Sequence, residues 1–191
     1  QAADYEQKRA LITKEAAKLF ASDGFDGASI LELATACNTS KSLIYHYYAS
    51  KEEILFDVMN AHMELLLGVV RDLEAKDDAP AELFRQLSRG LMRRYTGAAN
   101  SQKVLLYELG NLSKLEQKEI IAKQRQIIDF AEELLERAAP ATDLDHGRLR
   151  AHVMLFFGML NWTHNWFKPS GAVSRNDIAD MAAEKTLATL V

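Results

Sequence analysis

The chain has 191 residues, enough for one sizeable hydrophobic core or for a small module joined to a larger one. Its 48% hydrophobic and 26% charged residues are typical of a soluble globular protein, and the single cysteine, Cys37, excludes an intrachain disulfide and a cysteine-rich zinc site. The net charge of −4 gives the whole chain no attraction for nucleic acid, yet residues 1–51 are neutral, with six basic and six acidic side chains. No apolar run is long enough to cross a bilayer and no signal peptide opens the sequence, so we expect a cytoplasmic protein.

Helical periodicity runs through every long segment and strand alternation is absent, which predicts an all-α fold. The first helix is expected to stop at Asp23-Gly24, because glycine readily takes the left-handed geometry that ends many helices. A long helix is expected from Ser50, which with Glu53 has the pattern of a capping box. Further helices are expected from Pro80, over about 101–112, 114–138 and 145–167, and from Ser174 (with Asp177) to Leu190, with the linker "ATDLDHG" at 141–147.

A helix, a tight turn and another helix follow the first glycine. Ser29 with Glu32 is a capping box for the first of these two helices. Asn38 tolerates the positive φ of a tight turn, and Thr39 or Ser40 is placed to cap the next helix, which runs to about residue 48. This is the outline of a helix-turn-helix.

The helix after that turn has two different faces. Ile44 and Tyr48 are four residues apart and are expected to face inward. Lys41 and Tyr45 form a second pair, turned about 100° from the first, with Ser42 beside them. A cation, hydroxyls and amphipathic rings are donors suited to phosphate oxygens and base edges. A solvated helix beside a tyrosine-rich core edge explains the same composition, so both interpretations stay open on the residues alone.

The segment "LFASDGFDGASILELATACNTSKSLIYHYYASKEEIL", residues 19–55, resembles the DNA-binding head of the TetR-type one-component repressors. Each shared feature is weak alone, but the combined spacing is specific; the features are Phe20, Gly24-Phe25, Ser29, Ile44-Tyr45 and Ser50-Lys51-Glu52. The sequence departs from the family pattern at Cys37-Asn38-Thr39, Ser42 and Tyr47. These departures leave the operator sequence open.

The resemblance implies roles for the outward residues of the third helix. Its first residues would face bases, while its outward tyrosines and Lys51 would contact phosphates, and the backbone near Ser29 would add a contact. The family binds as a homodimer that places two third helices in successive major grooves, so double-stranded operator DNA and a second copy of the chain are the implied partners. The implied DNA-binding residues are Ser29, Ser40, Lys41, Ser42, Leu43, Tyr45, His46, Tyr47 and Lys51.

Residues 153–167, "VMLFFGMLNWTHNWF", are apolar almost all round and need to be covered on more than one side. One side can meet the core and the other a second subunit, with Gly158 permitting close approach; a single buried helix in a monomer is the alternative. The resemblance favours the dimer, because the last two helices of these repressors usually form its interface. The implied interface residues are Phe157, Gly158, His164, Met181 and Leu187.

Residues 83–107 contain five basic side chains and no acid, and Arg85, Arg89 and Arg93 are spaced four apart. This arginine stripe invites an anionic ligand, although a solvated helix face explains it as well. The tail "FFGMLNWTHNWFKPSGAVSRNDIADMAAEKTL" resembles a TetR subgroup that controls fatty-acid, aromatic-acid or sterol breakdown, whose members commonly sense acyl-CoA thioesters. A small hydrophobic effector is therefore implied, with the expected contacts Met63, Leu66, Arg89, Arg93, Tyr107, Phe130, Phe156, Trp162 and Trp166.

The sequence has no residues at the spacing of a catalytic or metal site, and it lacks phosphate-binding glycine loops and a nucleophile elbow. We therefore expect no enzyme activity, no catalytic residues, no metal, no cofactor and no membrane association. The expected organisation is a DNA-binding head at 1–49 and an effector-binding and dimerisation body at 50–191. The interpretation is a ligand-responsive repressor. A TetR-type regulator of efflux or stress genes that senses lipophilic drugs, and a helical ligand-binding or enzymatic protein without DNA function, stay open as alternatives.

Overall fold

The computed structural model describes residues 2–140 and 145–190; positions 141–144, most of the expected linker, lie outside them. The described residues form α1 Ala2–Gly27, α2 Ile30–Ala36, α3 Lys41–Tyr47, α4 Lys51–Glu74, α5 Pro80–Gly97, α6 Ala99–Tyr107, α7 Lys114–Ala138, α8 His146–Trp162 and α9 Arg175–Ala188. The prediction of an all-α fold is confirmed. The helices expected at 101–112 and 145–167 end earlier and close in 3-10 turns at Leu109–Asn111 and Thr163–Asn165. Within the described residues, no helix has the length and hydropathy needed to span a membrane.

The chain divides into two compact units. The first comprises Gln1–Met63 and Asn100–Ile121, and the second comprises Glu64–Ala99 and Ala122–Val191. The division passes through two long helices, α4 and α7, each of which contributes residues to both units. The boundary expected from the sequence lies instead at the start of α4.

In the first unit, α1 consists of two helical segments that meet at a kink at Gly24. Gly24 has φ 76° and ψ 164°, and helical structure resumes as far as Gly27. The end of the first helix expected at Asp23-Gly24 is confirmed, together with the positive φ of this glycine, and a short helical turn follows it. Phe20 and Phe25, on either side of the break, pack in the core with ring centroids 5.4 Å apart. The chain therefore changes direction at Gly24, and the rings on both sides of the break lie in the core.

Side-chain caps begin α4 and α9. Ser174 and Asp177 form the expected capping box of α9, each side chain accepting a hydrogen bond from the other residue's backbone N–H. At α4, Ser50 Oγ accepts from the N–H of Glu53 at 3.1 Å. The Glu53 carboxylate accepts from the N–H of Ala49 at 2.6 Å. The capping box expected at α4 is therefore altered in one bond, because the Glu53 carboxylate accepts from Ala49, the residue before Ser50.

In the second unit, α5, α8 and α9 pack together around aromatic rings. Phe84 and Phe156 are fully buried, with ring centroids 4.6 Å apart. Ser88 Oγ donates to a backbone carbonyl of α9 at 2.7 Å, which satisfies a buried hydroxyl. Gly90 marks a close approach to α4, because a Cβ there would lie 2.5 Å from Cγ1 of Val69. Only glycine fits this crossing without displacing a neighbour.

Candidate functional site

Helix α3 is fixed at its start and along its inner face. Ser40, one of the two expected caps, accepts a hydrogen bond from the N–H of Leu43 at 3.1 Å. Asn38 adopts φ 49° in the preceding turn, which confirms the positive φ expected there. Ile44 is fully buried and Tyr48 is 1% exposed, so the expected inner face is confirmed. A short helix of seven residues thus has its position fixed by a cap and by two core side chains.

The hydroxyl of Tyr48 belongs to a polar cluster that the sequence analysis did not predict. It donates to Oδ2 of Asp57 in α4, and the same oxygen accepts from Nη2 of Arg9 in α1 at 3.0 Å. The Arg9 guanidinium also lies 4.7 Å from the Tyr48 ring centroid. Burial, followed by the contact with Asp57, raises the pKa of Tyr48 to about 12. A buried tyrosine needs a partner for its hydroxyl, and that rule is the signal that points to such a cluster.

The outer face of α3 is exposed and carries no acidic side chain. Lys41, Ser42, Leu43, Tyr45 and His46 are exposed, and Tyr47 is half-buried. The Lys41 ammonium lies 5.8 Å from the Tyr45 ring centroid, and the Tyr47 ring packs 4.8 Å from Tyr5 of α1. The expected outward residues therefore share one surface, made of a cation, hydroxyls and rings.

Lys51 and Ser29 make other contacts besides those expected of them. The Lys51 ammonium donates to the carbonyls of Phe25 and Ala28, at 2.6 and 3.0 Å, and lies 4.2 Å from the Phe25 ring centroid. The N–H of Ser29 donates to the Glu32 carboxylate at 2.8 Å, as part of the expected capping box. The hydroxyl and then the backbone N–H of Ser29 lower the pKa of the Glu32 carboxyl through their hydrogen bonds. Both positions thus have a role in holding the helices together.

A second exposed surface lies on α8 and α9 and is apolar. It surrounds a depression of about 610 Å³, and its large side chains include Leu155, 68% exposed, and Trp162, 62% exposed. A Cβ at Gly158 would meet nothing within 4 Å, so this position is open. We call this surface the α8/α9 face; it is lined by Met154, Leu155, Gly158, Met159, Trp162, Trp166, Val173, Ile178, Met181, Ala182 and Lys185.

The expected dimer and effector residues are distributed unevenly around the α8/α9 face. Gly158 and Met181, named for the dimer, lie on it together with Trp162 and Trp166, named for the effector. Of the other expected dimer residues, Phe157 is buried, and His164 and Leu187 are half-buried. The remaining apolar members of the face were missed individually. The all-round apolar character of residues 153–167 was the signal for Met154, Leu155 and Met159. The other members, Val173, Ile178 and Ala182, lie outside that segment.

The other residues expected to bind an effector are divided between the two units. Met63 and Tyr107 belong to the first unit, where Met63 is buried and Tyr107 is 57% exposed. Leu66, Phe130 and Phe156 are buried in the second unit. Arg89 and Arg93 line one groove beside α5 in the second unit. Among the described residues, no group of three or more His, Cys, Asp or Glu side chains is arranged to hold a metal ion.

Comparison with known families decides the identity of the fold. Residues 12–58 match the family of bacterial regulatory proteins named tetR, and residues 77–190 match the tetracyclin repressor-like C-terminal domain. The chain belongs to the TetR family. TetR-family proteins are DNA-binding regulators and not enzymes. The helix-turn-helix head and the helical body described above are the two parts of this fold.

Several relatives of this TetR-family chain have known structures or names. A TetR-family transcriptional regulator from Bordetella parapertussis 12822 is 34% identical, with 94% of this chain and 93% of that chain covered and a TM-score of 0.89. AibR, in complex with isovaleryl coenzyme A and operator DNA, is 28% identical over 93% of this chain and 97% of that chain, with a TM-score of 0.82. The HTH-type transcriptional regulator YuxN of Bacillus subtilis strain 168 is 32% identical over 80 residues, which are 42% of this chain and 28% of YuxN. The alignment with YuxN thus spans under a third of that protein's length.

Proposed function

We propose that this TetR-family chain is a homodimeric repressor that binds a pseudo-palindromic operator through α3 and releases it when a small hydrophobic effector binds the body. The observation that carries the proposal is the outer face of α3. It presents Lys41, Ser42 and Tyr45 on a helix that Ser40 and Ile44 hold in place. Because the inner contacts fix the helix, little conformational freedom remains to be lost when its outer face meets DNA.

In this proposal the first residues of the outer face read bases and the tyrosines contact phosphates. Lys41, Ser42 and Leu43 stand at the start of α3, the part of a recognition helix that reaches base edges. Tyr45, His46 and Tyr47 follow it. Lys51 donates to two backbone carbonyls, so we propose that it positions α4 and that any phosphate contact of its own is secondary.

Self-association through the α8/α9 face completes the proposed repressor. Two heads are needed to fill two half-sites one helical turn apart, and a self-complementary apolar face supplies the symmetric contact. Large exposed apolar patches of this kind mark protein interfaces. We therefore propose that Trp162 and Trp166 belong to this interface together with Gly158 and Met181, while Phe157 supports the interface from the core.

An acyl-CoA thioester is the effector class that we propose. AibR, which is 28% identical, has been solved with isovaleryl coenzyme A and operator DNA. A ligand of this class joins an apolar tail to a phosphorylated nucleotide, which suits a body that has exposed apolar side chains and an exposed arginine, Arg93, in a groove. Release follows from thermodynamic linkage. An effector that binds more tightly to a conformer whose two heads do not fit both half-sites shifts the chain towards that conformer. The affinity for DNA then falls by as much as the effector's affinities for the two conformers differ.

A mobility shift with the DNA upstream of the chain's own gene tests the repressor. We expect salt-dependent binding that Tyr45→Ala and Lys41→Ala each weaken by about tenfold, since each removes a contact to DNA. Leu115→Ala is the control, because Leu115 is 78% exposed and lies on α7. Equal affinity of all four proteins would refute the assignment of α3.

The same assay with a panel of acyl-CoA thioesters tests the effector. Release by at least one thioester, at a concentration where free coenzyme A has no effect, supports this effector class. Release by none of them, with intact DNA binding, would refute the thioester and leave the repressor standing. Lipophilic drugs form the second arm, because release by them alone would favour a regulator of efflux or stress genes.

A further inference from the structure

A groove in the second unit, formed by α4 and α5, has a different character from the α8/α9 face. Its volume is about 440 Å³, and its lining contains four cations and a single acid. That volume is in the range of small-ligand sites. The residues that line it are Val69, Asp72, Leu73, Lys76, Gln86, Arg89, Arg93 and Arg94, and we call it the α4/α5 groove.

The arginine stripe of α5 is divided by its partners. Arg85 pairs with Glu184 of α9, with Nε and Oε1 2.5 Å apart. Arg89 forms a two-bond pair with Asp180, at 2.5 and 2.8 Å. These two arginines therefore tie α5 to α9, and their charges are compensated. The stripe as a whole is not an anion site.

The next turn of α5 is different. Arg93 and Arg94 are exposed, and among the described residues neither guanidinium has an ion-pair partner. Their guanidinium groups are left free to bind a ligand. Planar guanidinium groups suit phosphate, because two parallel N–H donors match two phosphate oxygens.

Lys76 adds a third uncompensated cation from the α4 side of the groove. Its ammonium donates to Oε1 of Gln86 at 2.6 Å, and this neutral amide orients the ammonium without cancelling its charge. The amide nitrogen of Gln86 donates in turn to Asp78 at 2.9 Å. Asp72 is the acid of the lining, so the free cations exceed it by two.

The floor of the groove is apolar. Val69 and Leu73 of α4 are buried yet line the groove. Val69 is also the residue against which Gly90 packs, at the close approach of α4 and α5. An apolar floor beneath three cations suits a ligand that has an organic part next to its phosphates.

We propose that the α4/α5 groove binds a diphosphate-bearing ligand, with the phosphate oxygens on Arg93, Arg94 and Lys76 and the organic part on Val69 and Leu73. Two sources carry this chemistry: a free nucleoside diphosphate, and the nucleotide part of a larger thioester. Binding to the groove is measured on DNA-free protein, so the proposal stands or falls apart from repressor function.

Titration calorimetry at fixed ionic strength tests the proposal with inorganic pyrophosphate and ADP. We expect saturable binding to the unaltered chain, with ADP the tighter ligand because it also covers the apolar floor. The double variant Arg93→Ala, Arg94→Ala is expected to lose about tenfold or more in affinity, since each charge-assisted contact contributes substantially. Absence of saturable binding by both probes would overturn the proposal.

Arg85→Ala is the matched control, because Arg85 lies on the same helix, carries the same charge and does not line the groove. We expect its affinity for ADP to stay within about twofold of the unaltered chain, since the Arg85 charge is compensated by Glu184 and screened by salt. An equal loss in Arg85→Ala and in the double variant would show general charge attraction and refute the groove. Lys76→Ala gives an independent check from the segment that follows α4, and unchanged ADP affinity in this variant would count against the arrangement proposed.

Coenzyme A and an acyl-CoA thioester identify the source of the diphosphate. Tighter binding of both than of ADP, with the same loss in the double variant, assigns the groove to the nucleotide part of a thioester. Binding of ADP as tight as that of coenzyme A assigns it to a free nucleotide. Either result supports the groove, whereas thioester binding that the double variant leaves unchanged would overturn it for that ligand.

Discussion

Helices α3 and α8 have similar inner faces and opposite outer faces. Each buries large side chains on one side, Ile44 and Tyr48 in α3 and Phe156 and Leu160 in α8. The outer side of α3 is polar and lacks acids, whereas the outer side of α8 exposes Leu155 among other apolar residues. The inner face holds a helix in the fold, and the chemistry of the outer face determines which class of partner the helix can bind.

The two outer faces also differ in how favourably they interact with water. On α3, cations and hydroxyls are well hydrated, so the face is stable in water until a polyanion replaces that water. On α8, the exposed apolar area is unfavourable in water and is relieved by contact with another apolar surface. The first face is suited to reversible, salt-dependent binding, and the second to lasting association.

The largest expected effect breaks the inner face of α8. Phe156→Ala is expected to lower the free energy of unfolding by about 3–5 kcal/mol, because it removes a fully buried ring that packs on Phe84. Urea denaturation at high dilution measures it. The control is Leu155→Ala, one residue away on the outer face, which is expected to change the monomer by less than about 0.5 kcal/mol and to weaken self-association. Similar losses in the two variants would erase the distinction between the faces.

The second prediction concerns the hydroxyl of Tyr48, the buried tyrosine at the end of α3. Tyr48→Phe is expected to lower the free energy of unfolding by about 1–3 kcal/mol, because the half-buried Asp57 carboxylate loses the donor that Tyr48 supplies. Tyr45→Phe removes the same atom from the exposed face and is expected to stay within about 0.5 kcal/mol of the unaltered chain. Thermal unfolding of both variants gives the comparison. A larger loss in Tyr45→Phe would contradict the assignment of the two faces.

The third prediction separates a structural lysine from a DNA-facing one. Lys51→Met is expected to lower the free energy of unfolding by about 1 kcal/mol, because two carbonyls lose their charged donor, and to leave the salt dependence of DNA binding unchanged. Lys41→Met is expected to do the reverse, lowering the salt slope by up to about one while stability is unaffected. Denaturation together with binding at several salt concentrations tests both. An unchanged stability with a reduced slope in Lys51→Met would assign that residue to phosphate.

The smallest expected effect is on how the free energy of unfolding depends on pH. Burial lowers the pKa of His62, which is 1% exposed, even though its contact with Gln102 at 2.7 Å opposes the change. Below about pH 6.5 the unfolded chain therefore binds a proton that the folded chain does not, and stability falls as the pH decreases. His62→Gln is expected to reduce this slope. Denaturation between pH 7 and about 5 measures the slopes of the unaltered chain and of this variant, and equal slopes in the two would contradict the prediction.

The inner and outer faces of α3 follow from spacing alone, and the structure confirms them through the burial of Ile44 and Tyr48. Spacing works here because a residue's face depends on its position along one helix. The positive φ at Asn38 was also predictable, because few residues tolerate it. Local chemistry is therefore sufficient for the outline of the head.

The partners of polar groups were not predictable in the same way. Arg85 and Arg89 look alike in a stripe with Arg93, but their acids on α9 are 99 and 91 residues away in sequence. Only the packing of α5 against α9 distinguishes the compensated arginines from the free one. Trp162 and Trp166 on the α8/α9 face show the same limit. The chemistry of a tryptophan side chain does not tell whether an effector or a second subunit would contact it.

The two attachments of α4 to the head have a mechanical consequence. Lys51 is anchored to the end of α1, and Asp57 is anchored to Arg9 of α1 and Tyr48 at the end of α3. The attachment points are six residues apart, about 9 Å along the helix axis. One anchor would fix where α4 joins the head and leave it free to swivel, whereas two anchors at that separation also fix its direction. These contacts tie the orientation of α3 to that of α4, so we expect the outer face of α3 to turn when α4 turns.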